Sequence, residues 1–194
     1  MAIALAFGVQ LVQLALVLAA APLLTGVVRK LKAHLVGRQG PPLLQPYREL
    51  ARLVRKDVVL AESASWLFRA APYLIFATTW VAAALVPTFA AGLIFSHAAD
   101  LIAIVALLGA ARFMLALAGL DVGTSFGGIG ASREMMIASL AEPAMLMVVF
   151  TLSLLAGSTQ LSSIAAALQA PEVGLRVSLA LALVALLAVL AIWQ

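Results

Sequence analysis

Residues 132–150 read SREMMIASLAEPAMLMVVF. From Met135 onward the stretch is mostly apolar, yet Glu142 stands in the middle of it, followed directly by Pro143. A transmembrane helix needs about 20 mostly apolar residues, and an ionisable group inside one is costly. If the stretch crosses a membrane, Glu142 has work to do; if it does not, the fold is of another class.

The rest of the chain settles the class. Of its 194 residues 65% are hydrophobic and only 10% are charged, and the mean hydropathy is +1.16. A soluble globular domain does not need so much apolar surface. Five apolar segments stand out, at about 3–28, 70–95, 101–120, 135–156 and 174–193. The expected fold is therefore all-α, a polytopic transmembrane helical protein with about five spans in one integral membrane domain, and no internal repeat is visible. Nothing before Arg29 is charged, so the basic n-region of a secretory signal is missing and the first segment reads as a retained helix.

Nine of the twelve Lys and Arg residues fall between Arg29 and Arg69. The positive-inside rule places that segment in the cytoplasm and the N-terminus outside. Counting spans then puts the Ser96–Asp100 loop outside, a glycine-rich loop from Asp121 to Ser132 inside, and the polar connection from Gly157 to Glu172 outside. Trp66, Tyr73 and Trp193 suit interfacial positions. Asp100 reads as a solvated end residue.

Within the basic segment, LLQPYRELARLVRKD (43–57) follows Pro41-Pro42. Leu50, Leu53 and Val54 recur at helical spacing while Arg48, Arg52 and Arg55 gather towards another face, the pattern of an amphipathic helix on the membrane surface. Such a helix can be a lipid anchor or a docking platform for a soluble partner, and charge alone does not separate the two. In GLDVGTSFGGIGASRE (119–134) the glycines permit sharp turns and close approach, but there is no GK[ST] phosphate loop.

Counting from Arg133, Glu142 lies nine residues into its helix, about 13 Å deep in a core about 30 Å thick. Arg112 lies nine residues before Asp121, at similar depth, so Arg112 and Glu142 are expected to be able to meet. Pro143 cannot donate to the carbonyl of Ser139, which frees an acceptor one turn before the glutamate. A carboxylate in that setting either forms a structural ion pair or carries protons.

Cysteine is absent, so thiolate-held iron–sulfur clusters and structural zinc are expected in partner chains, not here. His34 and His97 belong to no ligand-spaced cluster and read as surface residues. No metal site and no nucleic-acid partner are expected.

GRQGPPLLQPYRELARLVRKD (37–57) and LAGLDVGTSFGGIGASREMMIASLAEPA (117–144) resemble two regions of the respiratory complex I membrane subunit, subunit 1, that abuts the quinone chamber. The wording QPYREL and SREMM…EP is most similar to the branch found in formate hydrogenlyase and related membrane-bound, energy-converting nickel–iron hydrogenases. The resemblance implies a membrane-anchoring and proton-coupling subunit that is not itself catalytic. It implies peripheral hydrogenase large and small subunits, iron–sulfur proteins, antiporter-like membrane subunits and the lipid bilayer as partners. The nickel–iron centre and the clusters would reside in those partners, and the membrane would be the cytoplasmic membrane of a bacterium or archaeon.

Carried over by motif, Arg133 and Glu142 match the charged pair flanking the family's helix-four motif, and Glu134 fits the hydrogenase branch. Gln45 and Pro46 match the surface helix. Glu142, Arg133, Glu134, Arg112 and Asp121 are thus the proton-path candidates. Arg38, Gln45, Pro46, Arg48, Glu49, Arg52, Arg55 and Lys56 are the candidates for docking the peripheral arm. The family continues beyond helix five through a large loop and further helices, so the chain is expected to be truncated relative to it. The alternatives are a quinone-site subunit of a respiratory complex I and a purely structural anchor. A secondary transporter ranks low, because no second interrupted helix pairs with the one at Pro143.

Overall fold

The computed structural model describes residues 2–89, 98–169 and 177–192. Among them are seven helices: α1 (Ala2–Leu35), α2 (Gln45–Val54), α3 (Trp66–Leu85), α4 (Leu101–Asp121), α5 (Ser125–Ala156), α6 (Leu161–Gln169) and α7 (Val177–Ile192). Four of the described helices, α1, α3, α4 and α5, are long and apolar enough to cross a membrane, and α7 contributes a shorter apolar stretch. The chain is an all-helical integral membrane protein. His97, Trp193 and parts of the 70–95 segment and of two expected loops lie outside the described residues.

The chain divides into two compact units, residues 1–60 with 88–93 and residues 61–87 with 94–194. In the first, α1 runs on past the apolar segment to Leu35, carrying Arg29, Lys30, Lys32 and His34 into its last turns. The helix stops on Gly37, at φ +69°. The N–H of Arg38 bonds to the Ala33 carbonyl at 2.8 Å, and that of Gly37 to the His34 carbonyl at 3.0 Å. This is the Schellman arrangement, which needs a residue free to adopt the left-handed conformation.

The chain then lies tightly against α1. A Cβ at Gly26 would stand 2.5 Å from the Leu43 carbonyl oxygen, and one at Gly40 would stand 2.9 Å from the Lys30 Cα. Helix α2 is held by the Tyr47 hydroxyl, which donates to the Ala19 carbonyl, by an Arg29–Glu49 ion pair at 3.3 Å, and by burial of Pro46. Arg48, Arg52, Arg55 and Lys56 remain exposed.

In the second unit α4 packs between α3 and α5, and α6 and α7 pack on α5. The interior is made of small side chains, among them Ala71, Ala82, Ala111, Ala116, Ala131, Ala138 and Ala141, while Leu115, Phe126, Leu140 and Leu154 face outward. That inversion suits lipid, which solvates large apolar side chains as well as a core does and leaves close backbone packing to hold helices together.

Two expectations are corrected here. The glycine-rich stretch is a loop only from Val122 to Thr124; from Ser125 it is helical. Gly123, at φ +68°, makes the turn. The Thr124 hydroxyl then accepts from the Gly127 N–H and starts the helix. Gly127 is placed for contact, since a Cβ there would lie 2.5 Å from the Gly119 carbonyl oxygen. The second correction concerns Asp100. Its carboxylate caps α4 by accepting from the Ile102 N–H at 2.8 Å and also accepts from the Thr159 hydroxyl at 3.0 Å. The backbones of Ala99–Leu101 and Thr159–Leu161 exchange two hydrogen bonds, which seats α6, a helix hidden within the expected polar connection.

Candidate functional site

Helices α4 and α5 run antiparallel, and their register follows from the contact of Gly119 with Gly127 and Ala131. Two further levels come from it. At the first, the Arg112 guanidinium donates to Glu134 at 2.6 Å, a short charge-assisted bond between side chains that are 19% and 35% exposed. At the second, Glu142 comes against Gly109, where a Cβ would stand 3.2 Å from the glutamate Oε1. The missing side chain at 109 leaves the carboxylate room against the face of α4, and a Cβ there would make it move by a few tenths of an ångström.

Arg112, Glu134 and Glu142 all line one cavity of about 560 Å³ between these helices, walled by apolar groups including Val105, Ala106, Phe113, Met135 and Leu146. Glu134, Ala138 and Glu142 recur every four residues and so share a face of α5, the two carboxylates about 12 Å apart along the axis. Ser139, whose carbonyl is left without its helical donor by Pro143, lines the same cavity. Gly109 is twelve residues, about 18 Å, from the Asp121 end of α4 and about 12 Å from the Leu101 end. Glu142 is thus near the middle of the span.

The expected meeting of Arg112 with Glu142 gives way to a pair with Glu134. The expected depth takes Arg133 as the start of the helix, whereas α5 begins eight residues earlier, at Ser125. Measured from Ser125, it is Glu134 that lies nine residues in, level with Arg112 nine residues before Asp121. Glu142 lies two helical turns further on.

The other candidates are more dispersed. Arg133 is exposed, about 100° around the helix from Glu134. Asp121 accepts from the Ser65 N–H at 2.9 Å and from its hydroxyl at 2.6 Å, and Ser65 in turn caps α3. Asp121 therefore joins the start of α3 to the end of α4. On the first unit, Gln45 donates to Glu49 at 3.2 Å, so Gln45, Pro46 and Glu49 turn towards α1 and leave the arginines outward. No group of three His, Asp or Glu able to hold a metal occurs among the described residues. Gly109 escaped the sequence reading, although a glycine three residues before an intramembrane arginine was a visible signal.

Removing Arg112 leaves Glu134 facing a largely apolar cavity without its cation, so Arg112→Ala is expected to destabilise the detergent-solubilised protein by about 2–4 kcal/mol. The paired change Arg112→Leu with Glu134→Leu should recover most of that loss in thermal unfolding. A double variant no more stable than the single one would show that the ion pair is not the reason.

Apolar helices packed on small residues, with an ion pair and a second carboxylate facing one interhelical cavity, define a polytopic membrane protein that carries charge inside its spans. The chain belongs to the NADH dehydrogenase family of complex I membrane subunits, whose profile it matches over residues 8–194. It is similar to formate hydrogenlyase subunit 4 of Escherichia coli strain K12, with 38% identity over 154 residues, covering 79% of this chain and 50% of that protein. It is also similar to hydrogenase-4 component C of the same organism, with 36% identity over 154 residues, covering 79% of this chain and 49% of that protein. The chain thus spans about half the length of these relatives.

Proposed function

We propose that this chain is the membrane-anchoring and proton-coupling subunit of a membrane-bound hydrogenase complex of the formate hydrogenlyase type, itself without a redox centre. The single observation that carries the coupling role is the mid-span cavity that Glu142 shares with the Arg112–Glu134 pair. Charges that share an apolar cavity interact strongly, so a change of charge at one member of the cluster is felt by the others. Redox turnover in a peripheral arm would act on the exposed Arg133 and on the ion pair beside it, and through them on Glu142.

The arm would dock on the exposed face of α2, through Arg48, Arg52, Arg55 and Lys56, with the basic segment on the cytoplasmic side. Gln45, Pro46 and Glu49 hold that helix in place. Asp121, with both oxygens occupied by Ser65, suits a fixed joint better than a proton carrier. Nickel, iron–sulfur clusters and the antiporter-like subunits belong to the partners.

The similarity of the chain to two hydrogenase-complex subunits favours this reading over a quinone-reducing complex I. The test is purification of the native complex through a tag on this chain, with metal analysis and mass spectrometry. Nickel together with a hydrogenase large subunit is expected. Flavin and quinone-linked subunits without nickel would move the chain to the complex I alternative, and a chain without redox partners would leave it a structural anchor.

A further inference from the structure

Two hollows meet at the end of α1. One, of about 540 Å³, is lined by Lys30, His34, Gly37, Arg38, Gln39 and Gly40. The other, of about 290 Å³, is lined by Val27, Lys30, Leu31, His34 and Leu43. They share Lys30 and His34. Val27, Lys30, Leu31 and His34 follow the i, i+3, i+4, i+7 pattern of one helix face. Along that face the apolar Val27 and Leu31 alternate with the basic Lys30 and His34, and the larger hollow continues past the helix end to Arg38.

Arg38 reaches this face only because the chain reverses at Gly37, through the pair of hydrogen bonds that end the helix. Gly40 packs on the Lys30 backbone and against its stem, which brings the two cations to the same hollow. Neither hollow has an acidic lining residue. Among the described residues the ion pairs are Arg29–Glu49 and Arg112–Glu134, so Lys30, His34 and Arg38 hold no carboxylate.

We infer that this is a binding site for an anionic phospholipid, its phosphate held between Lys30, His34 and Arg38 and one acyl chain lying along Val27, Leu31 and Leu43. A bare anion would use only the basic hollow and leave the apolar one exposed. A zwitterionic lipid would bring its own cation next to the two fixed ones. An anionic amphiphile matches both hollows, and basic groups at this level of a membrane attract anionic headgroups strongly. The site is independent of the hydrogenase reading.

The test uses the full chain in mild detergent, titrated with phosphatidylglycerol, phosphatidylcholine or inorganic phosphate and read by native mass spectrometry. Phosphatidylglycerol is expected to be retained over phosphatidylcholine. Lys30→Ala or Arg38→Ala should each weaken that retention about fivefold, and the two together about thirtyfold. Leu31→Asn should weaken it through the acyl chain, while Lys32→Ala, on another face of α1, should leave it unchanged. Circular dichroism checks that each variant keeps its helices. Equal retention of the two lipids, unchanged retention in the double variant, or displacement of the lipid by an equal concentration of inorganic phosphate would each overturn the site.

Discussion

Glu142→Gln is expected to abolish proton translocation by the assembled complex while assembly itself survives. Glutamine has nearly the shape of glutamic acid, so it can keep the close contact with Gly109 and the packing of α4 on α5. What it cannot do is gain and lose a proton. Proton transfer by a positioned side chain is worth about a hundredfold or more, and translocation should fall by at least that factor. Inverted membrane vesicles with a pH-sensitive dye measure it, alongside hydrogen turnover and the subunit content of the purified complex. An assembled Glu142→Gln complex that moves protons at the normal rate would sink the carrier role. Glu142 would then be a packing residue, and the coupling would have to run elsewhere. A loss of assembly would instead assign Glu142 to holding the helices together, which the near-isosteric replacement makes a sharp distinction.

The second large effect concerns the contact that sets the register of that site. At Gly127 a Cβ would stand 2.5 Å from the Gly119 carbonyl oxygen and 2.8 Å from the Thr124 hydroxyl. The carbonyl is backbone, and no rotamer change relieves the clash. Gly127→Val should force α4 and α5 apart, at a cost of about 1–3 kcal/mol or more, and move Glu134 away from Arg112. Both the melting temperature of the solubilised protein and proton movement should fall. Gly128 offers the control, because a Cβ there meets nothing within 4 Å. Gly128→Ala should be neutral or more stable, since alanine favours a helix over glycine by about 1 kcal/mol. If the two substitutions behave alike, the glycines act through backbone flexibility and not through close approach.

The same glycines show why the two kinds of information differ. GTSFGGIGAS reads as a loop because its glycines permit sharp turns. In a membrane the backbone must bond to itself, and small residues are what permit helices to touch. Placing the start of α5 at Ser125 instead of Arg133 then changed the partner of Arg112 by two helical turns. Helix α6 was missed for a related reason. Its short run, LSSIAAALQ, is seated by hydrogen bonds to Ala99 and Leu101, about 60 positions earlier in the chain.

By itself the sequence determined the membrane class, the all-helical fold, the basic segment with its amphipathic helix, and Glu142 as a carboxylate within an apolar helix. Each of these is a local sum of hydropathy and charge, readable wherever enough residues of one kind accumulate. The tertiary structure decided that Arg112 pairs with Glu134, that Glu142 lies against Gly109 on the face of α4, that Asp121 and Asp100 tie helix ends together, and that Lys30, His34 and Arg38 converge. Those outcomes depend on register and backbone approach between segments far apart in the chain. Such geometry is set by a few small residues, and no local sum can report it.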